Sequence, residues 1–200
     1  MQHRKTKHGI AVLKARIATL VFAAAAVLSA ATLPTRAQEP TAVGLWQKLD
    51  EDTKKPVIWF LFVDRGGIFE GYAARLFPQA GEEPNPVCTH CTDDRKGAPL
   101  LGLPMIRGMK RAGLKYEDGT VLDPRDGKVY SAVMTLSPDN RILTLRGYLG
   151  FQFLGKDDIW YRVPDSGFKE VDPAILAKYA PERVDSKKGK TKAPPPPQPR

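Results

Sequence analysis

The sequence predicts an all-β protein: a single antiparallel barrel of eight strands, followed by a short C-terminal helix and a disordered tail. Three observations point there. Between Gly119 and Val163, apolar stretches too short for helices alternate with polar turns, through Asp123-Pro124-Arg125-Asp126-Gly127 and Leu145-Arg146-Gly147-Tyr148 to Trp160-Tyr161-Arg162-Val163. The separators along the whole domain are built from Gly, Pro, Asp and Asn, which supply fixed or positive φ and local turn bonds. Eight such segments, mostly joined by short connections, suit a closed up-and-down barrel, which removes the unpaired edges of an open sheet.

Residues 1–37 read as a secretory signal peptide. Arg4, Lys5, Lys7, Lys14 and Arg16 precede an apolar run from Ile17 to Ala31, and Thr35-Arg36-Ala37 offers a small-residue cleavage site. The run is about fifteen residues, short of the roughly 20 that span a bilayer. The expectation is therefore an exported protein, not an integral membrane protein once the signal is cleaved near Ala37.

Strands are expected at Gly44–Leu49, Val57–Val63, Ile68–Phe77, Met105–Lys110, Lys115–Leu122, Val129–Leu136, Ile142–Tyr148 and Ile159–Val163. Alternation is clearest in the sixth, where Tyr130, Ala132, Met134 and Leu136 share one face. The second, Val57-Ile-Trp-Phe-Leu-Phe-Val63, is apolar on both faces. Bounded by Pro56 and Asp64, it reads as a strand covered on both sides. Residues 78–101 form one long connection holding both cysteines, of a length that suits a lid or a functional loop, with a surface loop of no role as the alternative. After the barrel, Asp172 is an N-cap with Pro173 at the first helical position of a short helix to Tyr179. The barrel domain thus spans 38–182. Residues 183–200, lysine-rich and then Pro-Pro-Pro-Pro, read as disordered.

Charge narrows the partners. The chain carries 31 basic and 22 acidic residues, net +9. Six of the basic residues and none of the acidic ones lie in 1–37, and six more, against Asp185 alone, lie in 183–200. Residues 38–182 therefore hold 19 basic and 21 acidic residues, a net of −2. The high isoelectric point comes from the two ends. A nucleic-acid-binding domain, which needs a basic face of its own, is not what this distribution describes.

Candidate chemistry is sparse. Cys88-Thr89-His90-Cys91 is the sharpest local motif. Haem attachment needs His directly after the second cysteine, where Thr92 stands. A redox dithiol normally opens a helix, and no helix signal follows. A metal site could use Cys88, Cys91, His90 and Asp93, although adjacent Cys and His rarely point at one ion. With only two cysteines in an oxidising compartment, a Cys88–Cys91 disulfide is the default, with redox, metal and free-thiol readings left open. Once residues 1–37 are removed, His90 is the only histidine, so three-histidine zinc catalysis is excluded and no nucleophile elbow supports a triad. Asp93-Asp94 and Asp157-Asp158 read as solvated turn charges. No enzyme and no cofactor is expected.

A cavity remains. An eight-stranded barrel is filled by its side chains or just holds one small ligand. Trp59, Tyr72, Tyr130, Met134 and Tyr148 are the candidates to line it, with plain core packing as the alternative reading of each. Glu70, Arg75 and Arg146 would need partners if they faced inward.

Gly44 and Trp46; Gly102-Leu103, Met105-Ile106 and Gly108-Met109; Asp123-Pro124, Asp126-Gly127-Lys128 and Tyr130; Leu145-Arg146-Gly147-Tyr148, Gly150 and Gly155; and Trp160, Arg162 and Val163 together resemble a family of uncharacterised exported bacterial proteins, domain of unknown function 2147. The likeness runs over residues 42–163. It implies a secreted or periplasmic protein with a lipocalin-like barrel, and no activity. Such barrels commonly set a Gly-x-Trp on the first strand against a basic side chain from the last. Here that implies Trp46 under Arg162, with Trp160 beside them, closing the barrel's bottom through a cation–π contact and capped carbonyls. Two unrelated core tryptophans are the alternative. The function expected is binding of a small, mainly apolar ligand in the barrel's mouth. The alternatives are an envelope-interaction module whose basic tail engages anionic components, and a periplasmic thiol oxidoreductase.

Overall fold

The computed structural model describes residues 39–188. The expected signal peptide lies outside the described residues, as does the tail from residue 189. Eight antiparallel strands close into a barrel in sequence order: β1 (Gly44–Leu49), β2 (Pro56–Asp64), β3 (Ile68–Leu76), β4 (Pro104–Ala112), β5 (Lys115–Leu122), β6 (Val129–Leu136), β7 (Ile142–Tyr148) and β8 (Lys156–Arg162). Closure is made by β1 against β8, with Trp46 opposite Arg162, Gln47 opposite Tyr161 and Lys48 opposite Trp160.

The turns alternate between two ends. Turns 64–67, 113–114 and 137–141 share the closed end with the start of β1 and the end of β8. Turns 50–55, 77–103, 123–128 and 149–155 lie at the open end. β8 begins at Lys156, earlier than the turn signal at Asp157-Asp158 suggested. Those two aspartates are strand residues that neutralise Arg146 at 2.6 Å and Lys48 at 2.6 Å.

Two apolar clusters follow from strand parity. The first fills the barrel: Trp46, Phe60, Phe62, Phe69, Met109, Tyr116, Met134, Leu143, Leu145 and Trp160 are among its members. The second lies outside, on the β1–β3 wall. Leu45, Trp59, Leu61, Val63, Tyr72 and Ala74 are covered there by Phe168, Val171, Leu176 and Tyr179. The covering segment is a 3-10 helix (Asp165–Glu170) followed by α1 (Pro173–Tyr179), whose Asp172 carboxylate accepts from the Ala174 N–H at 2.8 Å. This explains why β2 is apolar on both faces: each face meets its own core. A second helix, α2 (Pro181–Lys188), continues the chain where the sequence placed the start of the disordered tail.

Candidate ligand site: the barrel interior and its open end

The closed end is built on Arg162. Its guanidinium carbon lies 4.0 Å from the centroid of the Trp46 ring. Nη1 donates to the Val43 carbonyl at 2.6 Å, Nε donates to the Asn140 carbonyl at 3.1 Å, and Nη2 donates to the Thr41 carbonyl and to Asn140 Oδ1. Burial pushes its pKa down to about 10, which leaves it cationic at neutral pH. A Cβ on Gly44 would stand 2.6 Å from Arg162 Nη1, at a φ of +125°, so this position requires glycine. The Trp46 indole N–H donates to the Ala42 carbonyl at 2.7 Å, and Tyr116 accepts from the Ala42 N–H at 2.8 Å.

Above this floor the interior is apolar and occupied by side chains. Trp160 stacks on Phe60 with ring centroids 4.0 Å apart and leans on Phe62 at 6.0 Å. Its indole Nε1 is buried and has no hydrogen-bond partner, a state shared by Trp59 Nε1 on the outer wall. Buried donors in native interiors are ordinarily matched. The Trp160 donor lies among aromatic and aliphatic neighbours, and β-patterning gives no hint of it, because an indole's donor is invisible to hydropathy.

The open end is covered by the long 77–103 connection. Cys88 and Cys91 form a disulfide, and both residues are buried within the interior cluster. Their sulfurs are therefore not thiolate ligands, and among the described residues no group of three or more His, Cys, Asp or Glu is placed to hold a metal ion. The loop folds on itself: Cys88 N–H donates to the Ala98 carbonyl at 2.8 Å, Gly97 N–H to the Cys88 carbonyl at 2.9 Å and Leu100 N–H to the Pro86 carbonyl at 2.8 Å. Arg95, only 3% exposed, pairs with Asp93 at 2.5 Å and donates to the Pro104 carbonyl at 2.9 Å. Hydrogen bonding from Arg95 holds the Asp93 carboxyl down at about 2. Asp94 pairs with Arg107 at 2.8 Å. The neighbouring 123–128 turn presses on the loop at Gly127, where an added Cβ would lie 1.8 Å from the His90 carbonyl oxygen.

Of the residues expected to line a cavity, Met134 is fully buried inside the barrel. Tyr130 is half-buried on the same face of β6, beside Gly147, with its hydroxyl donating to Asp126 at 2.9 Å. Trp59 and Tyr72 are elsewhere: both lie on the outer wall, under the C-terminal segment. Tyr72 stacks on Tyr179 with centroids 3.7 Å apart, and burial together with Glu70 pushes its pKa up to about 12. The Trp59 ring lies under the Arg75 guanidinium at 5.2 Å. Tyr148 belongs to neither cluster and follows the outward parity of Ile142, Thr144 and Arg146. The strand charges are satisfied outside the barrel, Arg146 by Asp157, Arg75 by Glu170 and Glu70 by the Tyr72 hydroxyl. The Arg75–Glu170 pair lines an outer cleft of about 510 Å³ between β3 and the start of α1, walled by polar and apolar groups alike.

The model of a family described as "Uncharacterized protein conserved in bacteria (DUF2147)" matches residues 44–162. The chain belongs to that family. The matched span runs from the glycine under Arg162 to Arg162 itself, so it is the closed barrel and excludes α1 and α2. Among solved structures, the chain is similar to protein HP1028 of Helicobacter pylori, described as belonging to the lipocalin family. The TM-score is 0.56 and the identity 18%, over 69% of this chain and 97% of that one. At that identity the likeness is one of fold: the barrel is lipocalin-like. No curated protein matches the chain. Among the described residues, no helix is long and apolar enough to cross a membrane.

Proposed function

We propose that this is an exported, non-enzymatic binding protein that takes a small, mainly apolar molecule carrying a hydrogen-bond acceptor into its barrel. The observation that carries this reading is the Trp160 Nε1 donor, buried and unpartnered in an otherwise apolar interior. An acceptor oxygen on a ligand, or a water that a ligand displaces, satisfies it; leaving such a donor bare costs about 1–3 kcal/mol. Met105, Met109 and Met134 supply adaptable walls, since unbranched thioether side chains repack around a guest. Entry is by the end covered by the 77–103 loop, because the opposite end is held by Arg162.

Thiol exchange is disfavoured by the burial of Cys88 and Cys91, which are 0% and 1% exposed and so offer no attacking thiol access. Of the basic tail expected over 183–200, residues 189–200 lie outside the described residues.

The test pairs native mass spectrometry of the protein taken from a bacterial periplasm with titration by prodan, an apolar naphthyl ketone with one carbonyl acceptor. A co-purifying small molecule and saturable prodan binding, weakened roughly fivefold to tenfold in Trp160→Phe at unchanged melting temperature, support the reading. A barrel that is empty in every preparation and takes up no prodan overturns it.

A further inference from the structure

The turn joining β7 to β8 does something no other turn of this barrel does. Leu149, Phe151, Phe153 and Leu154 are 58%, 68%, 75% and 67% exposed, four large apolar side chains within six residues. The segment is a tight turn with Leu154 N–H bonded to the Phe151 carbonyl at 3.1 Å and Gly155 N–H to the Gln152 carbonyl at 3.0 Å. Its 3-10 helix (Gln152–Leu154) buries no residue. Phe151 and Phe153 stack on each other, centroids 5.6 Å apart, and neither joins a core cluster. The barrel gains almost nothing from these side chains, yet they are carried on a hydrogen-bonded turn that fixes them outward at the open end.

We infer that this tip docks the protein on a lipid bilayer, with Phe151, Phe153, Leu149 and Leu154 entering the boundary between headgroups and acyl chains. Shape and size select that occupant. All four side chains are more than half exposed, so they do not enclose a small molecule. It exposes on the order of 500 Å², less than the ~800 Å² per partner of a stable protein interface, while a bilayer accepts a few apolar side chains at a time. Charge agrees. The carboxylates at the foot of the hairpin are already neutralised, Asp157 by Arg146 and Asp158 by Lys48. Asp123 and Asp126 on the neighbouring turn are paired with Arg125 and Lys128. That leaves exposed Lys156, next to the tip, without an ion-pair partner among the described residues. On the 50–55 turn, Lys54 and Lys55 offset two of the three carboxylates of Asp50, Glu51 and Asp52, so the favourable charge is confined to the tip's own hairpin. The tip therefore meets phosphate headgroups with a cation beside it and no free carboxylate on its own hairpin. Docked this way, the open end faces the membrane. The inference rests on surface residues alone and stands or falls separately from the Trp160 reading.

The experiment is flotation of the processed full chain with vesicles of phosphatidylcholine and phosphatidylglycerol, beside Phe151→Ser/Phe153→Ser, Lys156→Glu and a chain lacking residues 189–200. The expected result is that wild type floats and the double serine variant, with an unchanged melting curve, loses roughly tenfold or more in vesicle affinity. Lys156→Glu should lose less, and more so at low salt. The truncated chain should keep its phenylalanine-dependent binding. Three results overturn the inference: no flotation of wild type, undiminished flotation of the double variant, or binding abolished by the truncation alone. A wild-type dimer in sedimentation that the double variant converts to monomer also overturns it, because a second copy would then be what covers the tip.

Discussion

The Arg162 guanidinium lies over the Trp46 indole, 4.0 Å from its centroid, while its N–H groups reach carbonyls of residues 41, 43 and 140. One side chain from the last strand thus ties the segment entering the first strand to the β6–β7 turn. The contact is worth more than its cation–π component, since three backbone acceptors lose their donor together when it is removed. Arg162→Leu should cost about 3 kcal/mol, and Arg162→Lys a smaller amount, because lysine keeps the charge but not the planar fork. Urea denaturation measures both; a loss under ~1 kcal/mol for the leucine variant would mean the closed end is held by packing alone.

Gly127 links the 123–128 turn to the disulfide loop. Its φ is +72°, and an added Cβ would meet the His90 carbonyl oxygen and carbon at 1.8 and 2.3 Å. Because those are backbone atoms, no rotamer change relieves the clash. Gly127→Ala should therefore displace the loop and destabilise the protein by about 2 kcal/mol or more. Faster amide hydrogen exchange at Cys88, Gly97 and Leu100, with β6 and β7 still protected, is the expected signature. Uniform loss of protection would instead indicate global destabilisation.

The Cys88–Cys91 bridge closes a ring of sequence separation 3, so its effect through the unfolded chain is small, about 1–2 kcal/mol. Its burial predicts slow kinetics. Under native conditions reduction by dithiothreitol should require loop opening and proceed much more slowly than in urea. Equal rates of thiol release in the two conditions would show that the loop does not cover the barrel. Cys88→Ser/Cys91→Ser should fold, with its largest rise in hydrogen exchange confined to residues 86–100.

Stability should fall at both extremes of pH, from different residues. Asp93 is held at about 2 by hydrogen bonding from Arg95, against about 4 in an unfolded chain. In that interval the unfolded chain binds the proton first, so this contribution is complete above about pH 4 and is lost as the pH falls toward 2. The carboxylate is about a third exposed, so the effect is modest. Tyr72 is raised to about 12, by burial and then by Glu70, from about 10 when unfolded. The unfolded chain ionises first, and stability declines as the pH rises from about 10 to 12. Asp93→Asn should flatten the acid limb of a urea-midpoint profile and Tyr72→Phe the alkaline limb; unchanged limbs would remove these groups from the account.

The sequence alone determined where most turns fall, because Asp126-Gly127, Pro138-Asp139 and Asn140-Arg141 report φ requirements that are local, whereas Asp118-Gly119, which carries the same turn signal, lies inside β5. Gly44–Leu49, Lys115–Leu122, Val129–Leu136 and Ile142–Tyr148 are legible to the residue, as is the Asp172 cap. What sequence could not decide is which way an apolar residue faces when both faces of its strand are covered. Trp59 and Phe60 are adjacent and equally apolar. Only the C-terminal segment, folding back on β1–β3, sends Trp59 to an outer core and Phe60 to the inner one, and the same segment takes Tyr72 out of the barrel. The unpartnered Trp160 donor and the exposed Phe151–Phe153 tip are not legible in the sequence for a related reason. Hydropathy records that a residue prefers burial, but burial and the pairing of a polar atom are properties of neighbours, and neighbours distant in sequence exist only once the barrel has closed.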